Sequence, residues 1–320
     1  MTMILTCLTK DFIVQASDRR LSIVDGNNVR PREDHSNKAL IYSNCFVFAY
    51  TGLAKLDSQS ASAIDWAAQQ LSEKENIGES VLHLGNRASD LMNSSYSHLS
   101  ADKKRLTFVG AGFANVDRKP LRIVISNFRG ENDTVLAQAR KEFTVYFDWL
   151  PERHNFELLV AGRQFSKDKK IEINNLIRSC LRQKKGPETI GRLLTLKIQE
   201  KADEDKAIGK NIMCTFVPRA YSDRVEYHFG AVLLENPINS TEPQRLEPVK
   251  LVSVHDRFAL PPPFDAPRFV YIAGDNKAQP YHGPILVLPG LPGSVMQMSV
   301  AEMSIVIPPV QTQPVDVSEI

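Results

Sequence analysis

Thr2 follows a methionine of the kind commonly removed when a small residue comes next, and such removal leaves it with both a hydroxyl and a free α-amino group. A threonine hydroxyl alone is a poor nucleophile. Its own α-amine, with an ordinary pKa of about 8, can serve as the adjacent base, so one residue supplies both nucleophile and proton acceptor. That chemistry also requires a cation to hold the amine's pKa down, a carboxylate to orient the cation, and backbone N–H groups for an oxyanion. Asp18, Lys38 and Gly52 follow Thr2 in that order and are of the required types. Singly, each has a plainer reading: Asp18 as a partner of Arg19 or Arg20 at a strand end, Lys38 as a solvated turn residue, Gly52 as a strand-to-helix turn.

The elements that must position these residues are readable along the chain. MILTCL and FIVQASD form a hairpin around Thr9-Lys10-Asp11, and KALIYSN and CFVFAYTG form a second around Ser43-Asn44. Ala-rich helical periodicity follows over residues 60–71, with Ile64, Ala67, Ala68 and Leu71 on one face, and a second helix is expected over about 78–96. Strands return at LTFVGAGF, LRIVISNF, FTVYFDWL and FELLVAG. Two further helices read as KKIEINNLIRSCLRQ and GPETIGRLLTLKIQEKA, the latter with Pro187 in its first turn and Leu193, Leu194, Leu196 and Ile198 as its apolar side. NIMCTFVPR is the last strand of the region, and the order predicts sheets packed between helical layers.

With the residues in these elements, the sequence resembles the proteasome β-type subunits of the N-terminal-nucleophile hydrolases. The resemblance rests on Thr2, the strand–turn–strand ending in Asp18-Arg19, Lys38 before a short hairpin, and the step Gly52-Leu53-Ala54, and it covers about residues 2–217. It implies an α+β fold, a four-layer αββα sandwich, and hydrolysis of a peptide or other amide through an acyl-enzyme on Thr2. By the same resemblance Lys38 lowers the pKa of the amine, Asp18 fixes Lys38, the Gly52 N–H stabilises the oxyanion, and Asp205 is a second acid supporting the N-terminus. No metal or cofactor is implied, and assembly into a homo-oligomer is. Whether an ATPase partner exists stays open, as does the substrate, with pocket residues expected near Arg20, Ser43 to Cys45 and Thr51. Two departures stand out: the family's serines beside the threonine amine are replaced by Ala161-Gly162-Arg163 and by Ile208, leaving Ser166 or Thr6 as substitutes in space. The same fold without catalysis, as a scaffold or interaction protein, is the alternative those departures favour.

The chain divides by composition. Residues 1–220 hold 33 Lys+Arg against 26 Asp+Glu and 5 prolines; residues 221–320 hold 6 against 11 and 14 prolines. A hydrolase-like domain over 1–220 and a β-rich, proline-rich extension over 221–320 are expected, with the boundary near Pro218 to Asp223. The extension carries strand-like runs in VEYHFGAVLL, RFVYIAG, GPILVLPG and MSIVIPP and ends in a loose tail, VQTQPVDVSEI. It reads either as a small domain or as an arm wrapping the first region. The net charge of +2 argues against a dedicated nucleic-acid binder. The four separated cysteines, in mostly apolar surroundings and without any CxxC pair, argue against a thiolate zinc site or a disulfide framework. No signal peptide, membrane span or anchor is read, which gives the expectation of a cytoplasmic protein. The GAGFAN segment at Gly110 lacks the third glycine of a dinucleotide fingerprint, and the seven histidines show no metal-ligand spacing.

Overall fold

The computed structural model describes residues 2–25, 28–34, 36–43, 45–56, 62–114, 119–130, 134–219, 229–234, 268–273, 282–287, 290 and 295–299. Strands β1 (Met3–Thr9) and β2 (Phe12–Asp18) form the first hairpin, and β5 (Ala39–Tyr42) and β6 (Phe46–Gly52) the second. Between them lies a two-stranded ribbon, β3 (Leu21–Asp25) and β4 (Asn28–Glu33), which the sequence reading missed. A proline and charged residues in NVRPRE break the alternation that marks a half-buried strand. The remaining strands of the first region are β7 (Leu106–Ala114), β8 (Lys119–Ser126), β9 (Thr144–Trp149), β10 (Phe156–Gly162) and β11 (Ile212–Pro218).

Four helices accompany them: α1 (Ala63–Ser72), α2 (Ile77–Asn93), α3 (Lys167–Arg182) and α4 (Pro187–Glu204). Helix α1 starts three residues later than the periodicity suggested, because Ser62 caps it: its Oγ accepts the Asp65 N–H at 3.2 Å while the Asp65 carboxylate accepts the Ser62 N–H at 3.3 Å. Pro187 occupies the first turn of α4 as expected. The buried side of α4 is Ile190, Leu194, Ile198 and Ala202; Leu196, assigned to that side from sequence, is instead 51% exposed. Its two-residue offset from Leu194 turns it away from the face that carries Ile190, Leu194 and Ile198.

The strands make two mixed sheets, largely antiparallel. One runs β10-β1-β2-β11-β13-β12 and the other β15-β14-β5-β6-β7-β8-β9, where β12 (Phe229–Leu234), β13 (Arg268–Ala273), β14 (His282–Val287) and β15 (Val295–Ser299) come from the C-terminal region. β13 lies antiparallel on β11, and β14 lies parallel on β5. The expected strand at MSIVIPP and the tail VQTQPVDVSEI fall outside the described residues, as does most of the proposed boundary segment.

Burial explains why β1 reads as a continuous apolar run. All seven of its residues are buried, the two faces against different partners. Met3, Leu5 and Cys7 pack with Ile173 and Ile177 of α3 and Ile190, Leu194 and Ile198 of α4. Ile4 packs with Ala49 and Val109, and Leu8 with Ile41 and Val47, on strands of the other sheet. The opposite face of that second sheet, through Phe46, Phe48, Tyr50 and Phe108, packs under α1 and α2. The GAGFAN glycines are spacers in this packing: a Cβ on Gly110 would stand 2.2 Å from the Phe48 ring, and one on Gly112 2.2 Å from the Cys45 carbonyl oxygen. Cys7, Cys180 and Cys214 are buried, Cys45 is partly buried, and all four are free thiols. Among the described residues no helix is long and apolar enough to cross a membrane.

Candidate active site

The chain folds so that the starts of β1 and β5 and the ends of β2 and β6 meet. Thr2 precedes β1 and is 4% exposed; Asp18 ends β2; Lys38 immediately precedes β5; Thr51 and Gly52 end β6. The Thr2 carbonyl accepts the Arg163 N–H at 3.2 Å and the Thr51 hydroxyl at 3.3 Å, which anchors the residue to the ends of β10 and β6. Its own hydroxyl oxygen lies 2.8 Å from Lys38 Nζ. Lys38 Nζ also reaches Asp18 Oδ1 at 3.3 Å and donates to the Arg20 carbonyl.

Asp18 and Lys38 are both fully buried, and each is enclosed by polar contacts. The Asp18 carboxylate accepts N–H bonds from Met3 at 2.6 Å, Arg20 at 3.0 Å and Gly209 at 3.2 Å, so backbone from three segments fixes its position. Asn37 Oδ1 accepts the Ala39 N–H at 3.1 Å in the turn that presents Lys38. The fully buried Arg19 steadies the same segment: its Nε donates to the Ser36 carbonyl at 3.3 Å, and the Ser36 N–H returns to the Arg19 carbonyl at 3.1 Å.

Burial moves the Lys38 ammonium below its usual pKa, and neighbouring Arg19 adds to the decrease, while the Asp18 and Asp34 carboxylates oppose it. An amine made less basic by burial, at hydrogen-bond distance from a hydroxyl, can accept that hydroxyl's proton. Cys7 and Cys214 offer no rival nucleophile of this kind: burial pushes Cys214 up to about 12 and raises Cys7 as well, which keeps both protonated.

Gly52 takes φ +114°, and a Cβ there would lie 2.0 Å from the Arg105 carbonyl oxygen, so only glycine fits the end of β6. Asp205, which caps α4, pairs with Arg163 Nε at 2.9 Å and accepts the Ala207 N–H at 3.0 Å; no hydrogen bond joins it to Thr2 or Lys38 among the described residues. Arg20, expected near a substrate pocket, is engaged by Asp34 and by the carbonyls of Lys206 and Ile208 at 2.9 and 3.0 Å.

Neither sequence candidate for the missing hydroxyls fills that role. The Ser166 Oγ caps α3 by accepting the Lys169 N–H at 3.2 Å, and Thr6 Oγ1 accepts from Gln15 Nε2 at 3.1 Å. Sequence reasoning left Thr51 as a pocket residue, whereas it is a support for Thr2. The alternation Val47, Ala49, Thr51, which places its side chain toward the other sheet, was the available signal.

Among the described residues no group of three or more His, Cys, Asp and Glu side chains could hold a metal ion. No protein family matches the chain, and no curated protein matches it. Among solved structures the chain is similar to Anbu (ancestral beta-subunit) from Yersinia bercovieri, at 10% sequence identity and a TM-score of 0.41, over 68% of this chain and 81% of that one.

Proposed function

We propose that this chain is a threonine-type amidohydrolase or peptidase with a proteasome-like fold, acting through Thr2 after removal of Met1. The observation that carries the reading is the 2.8 Å approach of Lys38 Nζ to Thr2 Oγ1, with Asp18 holding the lysine from below, all three residues buried. The packing of α3 and α4 under one sheet, of α1 and α2 on the other, and of the sheets against each other supports a four-layer αββα arrangement.

In the proposed reaction Thr2 Oγ attacks the amide carbonyl carbon while its proton passes to an amine, either the Thr2 α-amine or neutral Lys38. The tetrahedral oxyanion is stabilised by the Gly52 N–H, and collapse breaks the C–N bond as the leaving amine takes the proton. Water then hydrolyses the Thr2 ester. Asp205 acts through Arg163 in this scheme. The reaction as written uses only groups of the protein, substrate and water. A homo-oligomer, a cytoplasmic setting and the division at about residue 220 belong to the same proposal.

The replacements at Gly162 and Ile208 favour a second reading, a non-catalytic scaffold with the same fold. Two experiments separate the readings. Mass spectrometry of the mature N-terminus is expected to find Thr2 first; a retained Met1 rules out the amine mechanism. A β-lactone or boronate is expected to label the wild type and leave Thr2→Ala unlabelled, and labelling that persists in Thr2→Ala sinks the mechanism.

A further inference from the structure

Among the described residues β9 is an edge strand of one sheet and β10 an edge strand of the other, and residues 150–155 join them. An edge offers a row of N–H and C=O groups to whatever can pair with it. On β10 side chains occupy that row: the Val160 carbonyl accepts Arg129 Nη2 at 3.0 Å and Gln164 Nε2 at 3.2 Å, and the Gly162 carbonyl accepts Gln164 Nε2 at 3.3 Å. β9 has no such cover. The Leu150 N–H donates to the Pro120 carbonyl at 3.0 Å, so by alternation Thr144, Tyr146 and Asp148 turn their backbone groups to β8, and Val145, Phe147 and Trp149 turn theirs outward. Among the described residues no hydrogen bond reaches those three from outside the β8–β9 ladder.

The usual protections of an edge are also missing from β9. No proline, lysine or register shift interrupts Thr144–Trp149, and its one charge, Asp148, is held by Arg122 Nε at 3.2 Å, a guanidinium that also reaches Glu157 of β10. The side chains on the outward-bonding residues are apolar. Val145 packs under α2, while Phe147 and Trp149 are 41% and 43% exposed. Ser89 of α2 accepts the Phe143 N–H, and a Cβ on Gly85 would stand 2.9 Å from Val145 Cγ2, so the preceding turn of the helix, with the 51% exposed Leu82, lies along Phe147.

Backbone groups and apolar side chains thus share one parity, and an antiparallel copy of the same strand matches both at once. With a two-fold axis at Phe147, Val145 stands opposite the partner's Trp149, free N–H groups meet free C=O groups, and the apolar side chains of both copies lie on one surface of a continuous sheet. Asp148 meets no like charge across the axis. The flanks mix signs, with Arg140, Lys141 and Glu142 before the strand and Glu152 and Arg153 after it, which suits a copy of the chain better than a strongly charged partner. We infer that β9 is a self-pairing edge through which two copies of this chain join their seven-stranded sheets across a two-fold axis. The inference gives the homo-oligomer of the proposed reading an interface, and it rests on that oligomer and not on its chemistry.

The test uses the full chain. Light scattering is expected to give the mass of two chains or a multiple of two. Phe147→Glu, which opposes two carboxylates on the axis, is expected to weaken pairing by about a hundredfold and to halve the mass. Amide exchange resolved by fragmentation mass spectrometry reads the edge itself: Val145 and Trp149 are expected to exchange at least about tenfold faster in Phe147→Glu than in wild type, with Thr144, Tyr146 and Asp148 slow in both. A wild-type monomer overturns the inference, and slow exchange at Val145 and Trp149 in that monomer assigns the edge to the chain's own residues instead. An assembly whose mass and outward amides Phe147→Glu leaves unmoved overturns it as well. Should Phe147→Glu fail to fold, Trp149→Lys reads the same loss at the end of the strand. An inactive dimer that Phe147→Glu separates counts against the hydrolase reading and leaves the interface standing; an active enzyme whose mass Phe147→Glu does not change does the reverse.

Discussion

Lys38 ties reactivity to stability. Its folded pKa lies below the ordinary 10.5, so between the two values the unfolded chain binds a proton that the folded chain refuses. The resulting penalty on stability is fully present below the folded pKa and disappears above 10.5. Urea unfolding of wild type and Lys38→Met is therefore expected to show a difference that varies as pH rises toward 10.5, with wild type gaining relative to the variant; a pH-independent difference contradicts the lowered pKa. Gly162→Ser is expected to destabilise by at least about 2 kcal/mol and to give no activity above that of wild type, because strain at positive φ and a blocked Cβ act together. At this scale the site was largely legible. Thr2, Asp18 and Lys38 announced themselves by type and order, and they do meet. Thr51 and Arg163 did not, because a hydroxyl at a strand end and a cation after a glycine gain meaning only from what folds against them.

Elements were legible where local chemistry specifies them. The hairpins β1–β2 and β5–β6 and the start of α4 follow from alternation, turn residues and Pro187. The start of α1 is instead fixed by a cap that periodicity did not show: Ser62→Ala is expected to lower stability by about 1 kcal/mol, read as a lower thermal midpoint with unchanged spectroscopic helix content in the cold. Gly112→Ala is expected to be worse, at about 2 kcal/mol or more, since the added carbon meets the Cys45 carbonyl and the Phe46 ring. Leu196 and the β3–β4 ribbon were misread or missed for opposite reasons. Leu196 is an apolar residue left in solvent, and the ribbon is a strand pair with little apolar pattern. Hydrophobic periodicity reports burial, and neither case obeys it.

For the whole molecule, non-local pairing decided what sequence could not reach. Three of the C-terminal runs were readable as strands and β15 (Val295–Ser299) was not, and nothing within them indicated that β13 would lie on β11 and β14 on β5. Deleting residues 221–320 leaves β5 and β11 as bare sheet edges, so the shortened chain is expected to self-associate in light scattering and to melt lower than the full chain. A monodisperse truncation with an unchanged midpoint would establish residues 1–220 as self-sufficient.

The residues that hold Thr2 have a further consequence in time. Thr2 precedes its anchors by far: Arg163 and Gly209 hold it and its Asp18 support from much further down the chain, and the sheets flanking it are completed by strands from residue 229 onward. A growing chain can close its hairpins early, but the long-range pairs must wait for their partners to be synthesised. On the proposed reading the nucleophile is thus latent until Arg163 and Gly209 have been synthesised, and the sheets around it close later still.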